Sequence, residues 1–536
     1  MIIIMKKTNN LFFPVLKSVS FVSGLLQIAS VPIGIINAKL MADVVTKATA
    51  GDYKSVLKSS LLILTILLFV KVFDLITGYI YQKKSSDSLH KCKMLLYEQY
   101  LSSPLNVLYQ STVGETNILF NSDFGTITQK YISLYPTIVA KIVMFISYLA
   151  YMCIQSPILA LIMMIISFVQ IIPPLFVKLF CEKLDTNTKD IEGQISNCAL
   201  EFYNGFAAVK LFNLRDWCLN RMRNLHIKMW KIANKLQATY RTQTAISSII
   251  SNVLTYGTYA IVGLFIINEH ITMDSGIQAI ALSQSLYAAS ASILGLIPNF
   301  ALVRNAEKRM LHYFEERDQN TKELSDDLCI KFKGISCSLG EKQIFDNANF
   351  SINSNSITVF KGVNGIGKST IVKLALGMVD YNKGEICIGG ISPKQIDYKN
   401  FPHKIFYLTQ DDPAYNLTPG ELFGMVLDDV GSKKAFDFLN MFNTDEQILS
   451  QTINCLSGGE RKKVFLSLAF ACEPQLLILD EPTNSLDRNS RDVLNKLLRS
   501  RNGGTVIITH EKELVDLASA AYVVKERQVI YEKKDI

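Results

Sequence analysis

The sequence predicts two unlike parts in one chain: an all-α transmembrane domain of six helices, followed by an α/β domain of the P-loop NTPase kind. Three observations carry that reading. Residues 1–310 hold long apolar runs with few charges, Gly362 to Ser369 spell G-x-x-x-x-G-K-S, and Leu476 to Leu479 form an apolar run closed by Asp480 and Glu481. The expected boundaries are 1–310 for the helical domain, 311–327 for a linker and 328–536 for the α/β domain.

The helical part comes first. The chain is 49% hydrophobic and 19% charged, against about 25% charged residues in soluble proteins, and the apolar excess is concentrated early. Leu61 to Val70 and Ile158 to Ile166 are the densest runs, and with their flanks they reach the roughly 20 residues that a bilayer crossing needs. Less dense runs around 11–37, 134–153, 245–267 and 275–299 bring the expected spans to six. Buried helices of a soluble domain would show a polar face, whereas these runs are apolar nearly all round. A lipid bilayer is therefore an expected partner.

Orientation follows from the basic residues. Lys6 and Lys7, Lys83, Lys84, Lys91 and Lys93, and the long basic stretch from Lys183 to Arg241 mark cytoplasmic faces and place both termini inside. Lys39, Lys47, Lys54 and Lys58 break the pattern by falling in the first outer loop. The apolar region after Lys7 is too long for a cleaved leader and reads as the first span. In the second span Lys71 lies roughly 16 Å along the helix from Ser60, deep in the bilayer. Such charge is costly and faces a partner or a cavity. Lys71 and Asp74 either neutralise each other at i, i+3 spacing or belong to a substrate cavity; both readings stand. Pro173-Pro174, after Gln170, should kink the fourth span.

In the α/β part, Ile357 to Phe360 read as the buried strand before the P-loop. The glycines of Gly362-Val363-Asn364-Gly365-Ile366-Gly367 let the backbone close around phosphate oxygens. A helix starting near Lys368 aims its free N–H groups at the anion. Lys368 supplies charge to the β- and γ-phosphates, and the Ser369 hydroxyl can take a position on Mg²⁺. Leu476 to Leu479 fit a strand buried on both faces, ending where ligands bind in parallel sheets. Asp480 would hold Mg²⁺ and Glu481 would orient or deprotonate the attacking water. The chemistry implied is ATP hydrolysis.

Composition excludes little else. The ten cysteines have no paired zinc spacing and read as free thiols. The net charge of +8 fits basic cytoplasmic faces, and no clustered patch points to nucleic acid.

From about Leu328 onward these motifs resemble the ATP-binding cassette family. Leu456-Ser457-Gly458-Gly459-Glu460 is similar to its signature motif, with Glu where Gln is commoner. The resemblance implies that Gln410 is the Q-loop residue and a further Mg²⁺ ligand, that Ser485-Leu486-Asp487 form the D-loop, and that His510 is the switch histidine acting with Glu481. It further implies a head-to-tail dimer. Each ATP would sit between one copy's P-loop, including Thr370, and the signature of the other, so Leu456, Ser457, Gly458, Gly459, Glu460 and Asp487 would act in trans. Leu339 stands where the family carries an aromatic residue against adenine.

Six spans ahead of one cassette resemble the exporters of this family. Gly114 to Asp123 look like their first cytoplasmic extension and Asn204 to Asn213 like the second, each expected to carry a short coupling helix at its tip. The resemblance implies a homodimer, since every motif is intact, and an ATP-driven exporter of a small peptide or amphipathic molecule. Lipid or drug export by the same architecture is the alternative. A membrane-anchored ATPase that senses a ligand without moving it is a reading of another class.

Overall fold

The computed structural model describes residues 2–169, 172–313, 322–325, 327–340, 342–398 and 401–532. The chain divides into two compact units, Met1–Ser102 with Ser111–Phe314 and Ser103–Gln110 with Glu315–Ile536.

The first unit is all helix. It comprises α1 (Ile2–Ile28), α2 (Ser30–Thr49), α3 (Tyr53–Leu101), then beyond α4 (Leu105–Gln110), which belongs to the second unit, α5 (Val113–Asn117), α6 (Phe124–Gln129) and α7 (Tyr135–Gln155). α8 (Pro157–Val169), α9 (Ile172–Asn204), α10 (Phe206–Leu211), α11 (Arg215–Ile267), α12 (Met273–Gly295) and α13 (Ile297–Tyr313) complete it. Among the described residues, Asn10–Thr49, Tyr53–Leu101, Val113–Gln155 and Arg215–Ile267 are each long and apolar enough to cross a membrane. The shorter apolar α8 and the helix α12 occupy the places of the remaining two expected spans.

One difference from the sequence reading has a simple cause. α2 and α3 are joined by only Ala50, Gly51 and Asp52, with Asp52 capping α3 by accepting from the Ser55 N–H at 3.2 Å. Lys39, Lys47, Lys54 and Lys58 therefore sit on helices that run past their apolar segments, where Lys47 pairs with Asp43 at 3.3 Å. The kink expected from Pro173 and Pro174 concerns the junction at residues 170–171, which lie outside the described residues.

The third crossing is broken by two π-helical turns, Ile118–Asp123 and Lys130–Leu134. Each turn carries an ion pair to α13 whose residue on the turn is buried. Asp123 takes a bidentate grip from Arg309, at 2.9 Å from Nε and 2.7 Å from a terminal nitrogen. Lys130 donates to Glu307 at 2.8 Å, and both side chains are almost wholly buried. A buried pair must be geometrically good to offset its desolvation, and here the ammonium also lies 5.1 Å and 5.4 Å from the Tyr131 and Tyr135 rings.

The second unit is α/β. One antiparallel sheet has the order β2-β1-β4, from β1 (Ile330–Leu339), β2 (Lys342–Ile352) and β4 (Lys383–Ile388). The other has the order β5-β6-β7-β3-β8-β9, from β3 (Ile357–Lys361), β5 (Ile405–Leu408), β6 (Leu476–Asp480), β7 (Gly504–Ile508), β8 (Ala520–Lys525) and β9 (Gln528–Glu532). It is parallel except for β9. β6 and β7 are buried at every position, as continuous apolar strands in a covered parallel sheet must be. One face packs Phe360, Ile478, Ile508 and α14 (Lys368–Ala375), and the other packs Leu477, Leu479 and Ile507 against α15 (Gly458–Ala471) and α16 (Arg488–Ser500). The carboxyl ends of β3 and β6 are thereby held side by side through β7.

Candidate nucleotide site

The P-loop leaves β3 at Lys361 and enters α14 at Lys368. Gly367 adopts φ 114° and a Cβ there would lie 2.5 Å from the Ile344 side chain, so glycine is required on both backbone and steric grounds. The Lys368 ammonium donates to the Gly362 carbonyl at 2.7 Å, with the Val363 carbonyl and Asn364 Oδ1 at 3.4 and 3.5 Å. The loop therefore curls around a cation. Ser369 and Thr370 follow in the first turn of α14, and Gly365 accepts from Lys342 at 3.4 Å, which ties the β1–β2 turn to the loop. Leu339, 44% exposed at the end of β1, lies on that turn.

Asp480 closes β6 with 2% of its surface exposed, and its Oδ1 has no hydrogen-bond partner among the described residues. Burial pushes its carboxyl above the usual range, while the Ser369 hydroxyl works the other way. Glu481 turns the chain at φ 49°, a left-handed conformation that a non-glycine residue adopts at a cost. Its N–H donates to the Ile508 carbonyl at 2.9 Å, and its carboxylate faces His510 Nδ1 at 3.2–3.3 Å. His510 is 63% exposed, so its ring can meet a ligand while Glu481 stays covered.

Signature and D-loop residues are built on helix starts. Ser457 caps α15: its hydroxyl accepts from the Glu460 N–H at 3.3 Å, and its own N–H donates to Glu460 Oε2 at 2.8 Å. This reciprocal capping box holds the Glu460 carboxyl below its usual range. Glu does the capping that Gln could do at this position. A Cβ on Gly459 would stand 2.6 Å from the Ser485 carbonyl, so the signature and the D-loop are in backbone contact. Gly458 opens α15, and Leu456 is buried. Asp487 caps α16 through Ser490 at 2.8 Å and pairs with Lys463 at 3.0 Å; those bonds lower its carboxyl to about 2.

Three groups escaped the sequence reading because their partners are distant in the chain. Lys462, on the buried side of α15, donates to the carbonyls of Thr409 and Gln410 at 3.2 Å each and pairs with Asp412 at 3.1 Å. It fastens the Gln410 segment to the signature helix. Tyr407 on β5 reaches Asp480 Oδ2 at 3.5 Å, and burial, then the charge of Asp480, raises its hydroxyl well above the ordinary range. α4 packs within the same unit: Asn106 donates to Asp380 at 3.0 Å, and the Lys373 ammonium lies 5.2 Å from the Tyr109 ring. The short helix grouped with the α/β unit is thus Leu105–Gln110, ahead of the Gly114 to Asp123 segment singled out in the sequence. That segment forms α5 and the first π turn instead.

In the first unit, Lys71 and Asp74 stand 3.9 Å apart with side chains 79% and 61% exposed. Asp74 lines an open cleft that Lys71 does not.

A glycine cradle around a lysine, with an orphaned buried carboxylate oxygen beside a serine hydroxyl, fits a nucleotide with a divalent cation. Together with the helical unit it defines a membrane-embedded P-loop ATPase. The comparisons with known proteins narrow the class. The model for the ABC transporter transmembrane region matches residues 19–290, more than half of the chain, and the ABC transporter ATPase model matches residues 345–484. The chain belongs to the ABC transporter family. It is 24% identical over 478 residues to the ATP-dependent lipid A-core flippase of Francisella tularensis subsp. holarctica, covering 82% of this chain and 76% of that protein. A putative ABC transporter ATP-binding protein of Methanocaldococcus jannaschii is 31% identical over 214 residues, 35% of this chain and 73% of that one. The structure of a bacterial Atm1-family ABC exporter with ATP bound superposes with a TM-score of 0.80 at 15% identity, over 95% and 94% of the two chains. The protein is a multi-span ABC exporter whose cytoplasmic cassette couples ATP hydrolysis to transport.

Proposed function

We propose that this exporter moves an amphipathic, lipid-like molecule and works as a homodimer. The observation that carries the first part is the similarity, over 82% of the chain, to proteins named ATP-dependent lipid A-core flippase. It favours a lipid over the small peptide that the sequence also allowed. The dimer rests on the intact motif set: Leu456, Ser457, Gly458, Gly459, Glu460 and Asp487 would act on a second copy's nucleotide, and of these Ser457, Gly458 and Asp487 are exposed.

In this reading Gly362, Asn364, Gly365, Gly367, Lys368 and Thr370 bind the phosphates of ATP. Ser369, Asp480 and Gln410 would hold Mg²⁺, which supplies charge neutralisation at the phosphates when bound. Glu481, held against His510, orients the attacking water and takes its proton. Leu339 offers apolar contact to adenine without aromatic stacking.

The test is ATP hydrolysis and vesicle transport by the purified full chain in lipid. Glu481→Gln should lower hydrolysis by about 100-fold or more, as expected for loss of a general base, and should stop ATP-driven movement of an acyl-labelled lipid. Lipid-stimulated hydrolysis without movement would favour the membrane-anchored sensor.

A further inference from the structure

An open cleft of about 370 Å³ lies among α1, the start of α2, α3 and α7 of the first unit, within the size range of small-molecule sites. Its polar lining is Gln27, Ser30, Asp74, Thr77, Tyr81 and Lys141. Most of these groups are satisfied. Tyr81 donates to the Ile132 carbonyl at 3.0 Å, Thr77 to that of Phe73 at 2.7 Å and Ser30 to that of Gln27 at 2.6 Å. The two charges are not. Among the described residues, Asp74 has only Lys71, at 3.9 Å on the exposed side of the helix, and the Lys141 ammonium has only Met144 Sδ at 4.0 Å.

Opposite charges on facing spans, each without a hydrogen-bonded counterion, are costly in a bilayer and persist where something else meets them. A simple anion would be repelled by Asp74 and a simple cation by Lys141. A ligand carrying both charges suits both walls. On the same face of α3 as Asp74, Leu67 is exposed and Val70 half-buried, apolar surface suited to acyl chains.

We propose that this cleft binds the headgroup of a zwitterionic phospholipid, with its ammonium at Asp74, its phosphate at Lys141 and its chains along α3. This deepens the lipid-export reading and rests on it for the cargo's role.

The test is equilibrium binding to the full chain in maltoside micelles of three probes bearing one fluorescent acyl chain: lysophosphatidylethanolamine, lysophosphatidylglycerol and an alkyl trimethylammonium. The wild type should prefer the zwitterion by about tenfold, the effect of one lost charge contact. Asp74→Asn should shift preference to the glycerol lipid and Lys141→Met to the ammonium probe. Because each variant gains a ligand, misfolding cannot imitate the result. A wild type indifferent to headgroup, or an order unchanged in both variants, overturns the site. Tighter binding of an unlabelled zwitterionic peptide than of the ethanolamine lipid overturns the lipid class. Selective binding without ATP-driven movement of the ethanolamine probe in vesicles would keep the site and remove export. Movement without headgroup selectivity would do the reverse.

Discussion

Lys462 shows how much of this cassette is decided by single side chains that no motif announces. It is 2% exposed and bonded to Asp412, Thr409 and Gln410. Lys462→Ala leaves the Asp412 carboxylate buried without its cation, so the cassette should lose about 3–5 kcal/mol. The double change Lys462→Met with Asp412→Leu should recover most of it. Hydrogen exchange of the segment 409–412 in the full chain measures both. Tyr407→Phe removes the hydroxyl beside Asp480 and keeps the ring. It should lower kcat for ATP hydrolysis by about five-fold, the scale of one hydrogen bond, with little change in KM for ATP. At this scale the P-loop, Asp480 and Glu481 were legible, because their glycine spacing and apolar run are local. Lys462 and Tyr407 were not, since each acts on a residue dozens of positions away.

Among elements, four of the expected crossings, those within Asn10–Thr49, Tyr53–Leu101, Val113–Gln155 and Arg215–Ile267, were legible from apolar length, because lipid demands it of each span independently. The π turns were not. A turn with one extra residue leaves no mark on composition, and only the pairs to Glu307 and Arg309 on α13 reveal its role. Lys130→Met alone should destabilise the first unit by about 3–5 kcal/mol, because the buried Glu307 carboxylate loses the cation 2.8 Å from it. Adding Glu307→Leu should restore it, as read by thermal aggregation of the full chain in detergent. α4 was not read from the sequence, since a six-residue helix has little periodicity to read. Its bond from Asn106, with Lys394 on the same carboxyl, outweighs burial and holds Asp380 below its usual range. A lowered acid stabilises the contact above the ordinary carboxylate range and loses that contribution as pH falls through the lowered value. Asn106→Ala and Asp380→Ala should therefore show about 1 kcal/mol of coupling in a double-mutant cycle near neutral pH, measured by hydrogen exchange of α4.

For the whole molecule, the division into a helical and an α/β part was plain in the sequence, while assembly was visible only through resemblance. A dimer with shared sites gives a sharp expectation. Lys368→Ala spoils one protomer's P-loop and Ser457→Phe spoils the other's signature, so each variant alone should be inactive. Co-expressed equally, half of the dimers keep one whole site, and about a quarter of wild-type ATP hydrolysis should return if two-fold pairing holds. No recovery would mean that both halves of a site come from one chain. The grouping of Ser103–Gln110 with the α/β unit has a further consequence. The border between the two bodies is crossed three times by the backbone, so no single cut separates them. A cassette expressed from residue 315 onward would leave Asp380 without Asn106 and Lys373 without Tyr109. Such a fragment begins life as a protein with an open wound on its surface, and its solubility and turnover would describe the wound as much as the enzyme.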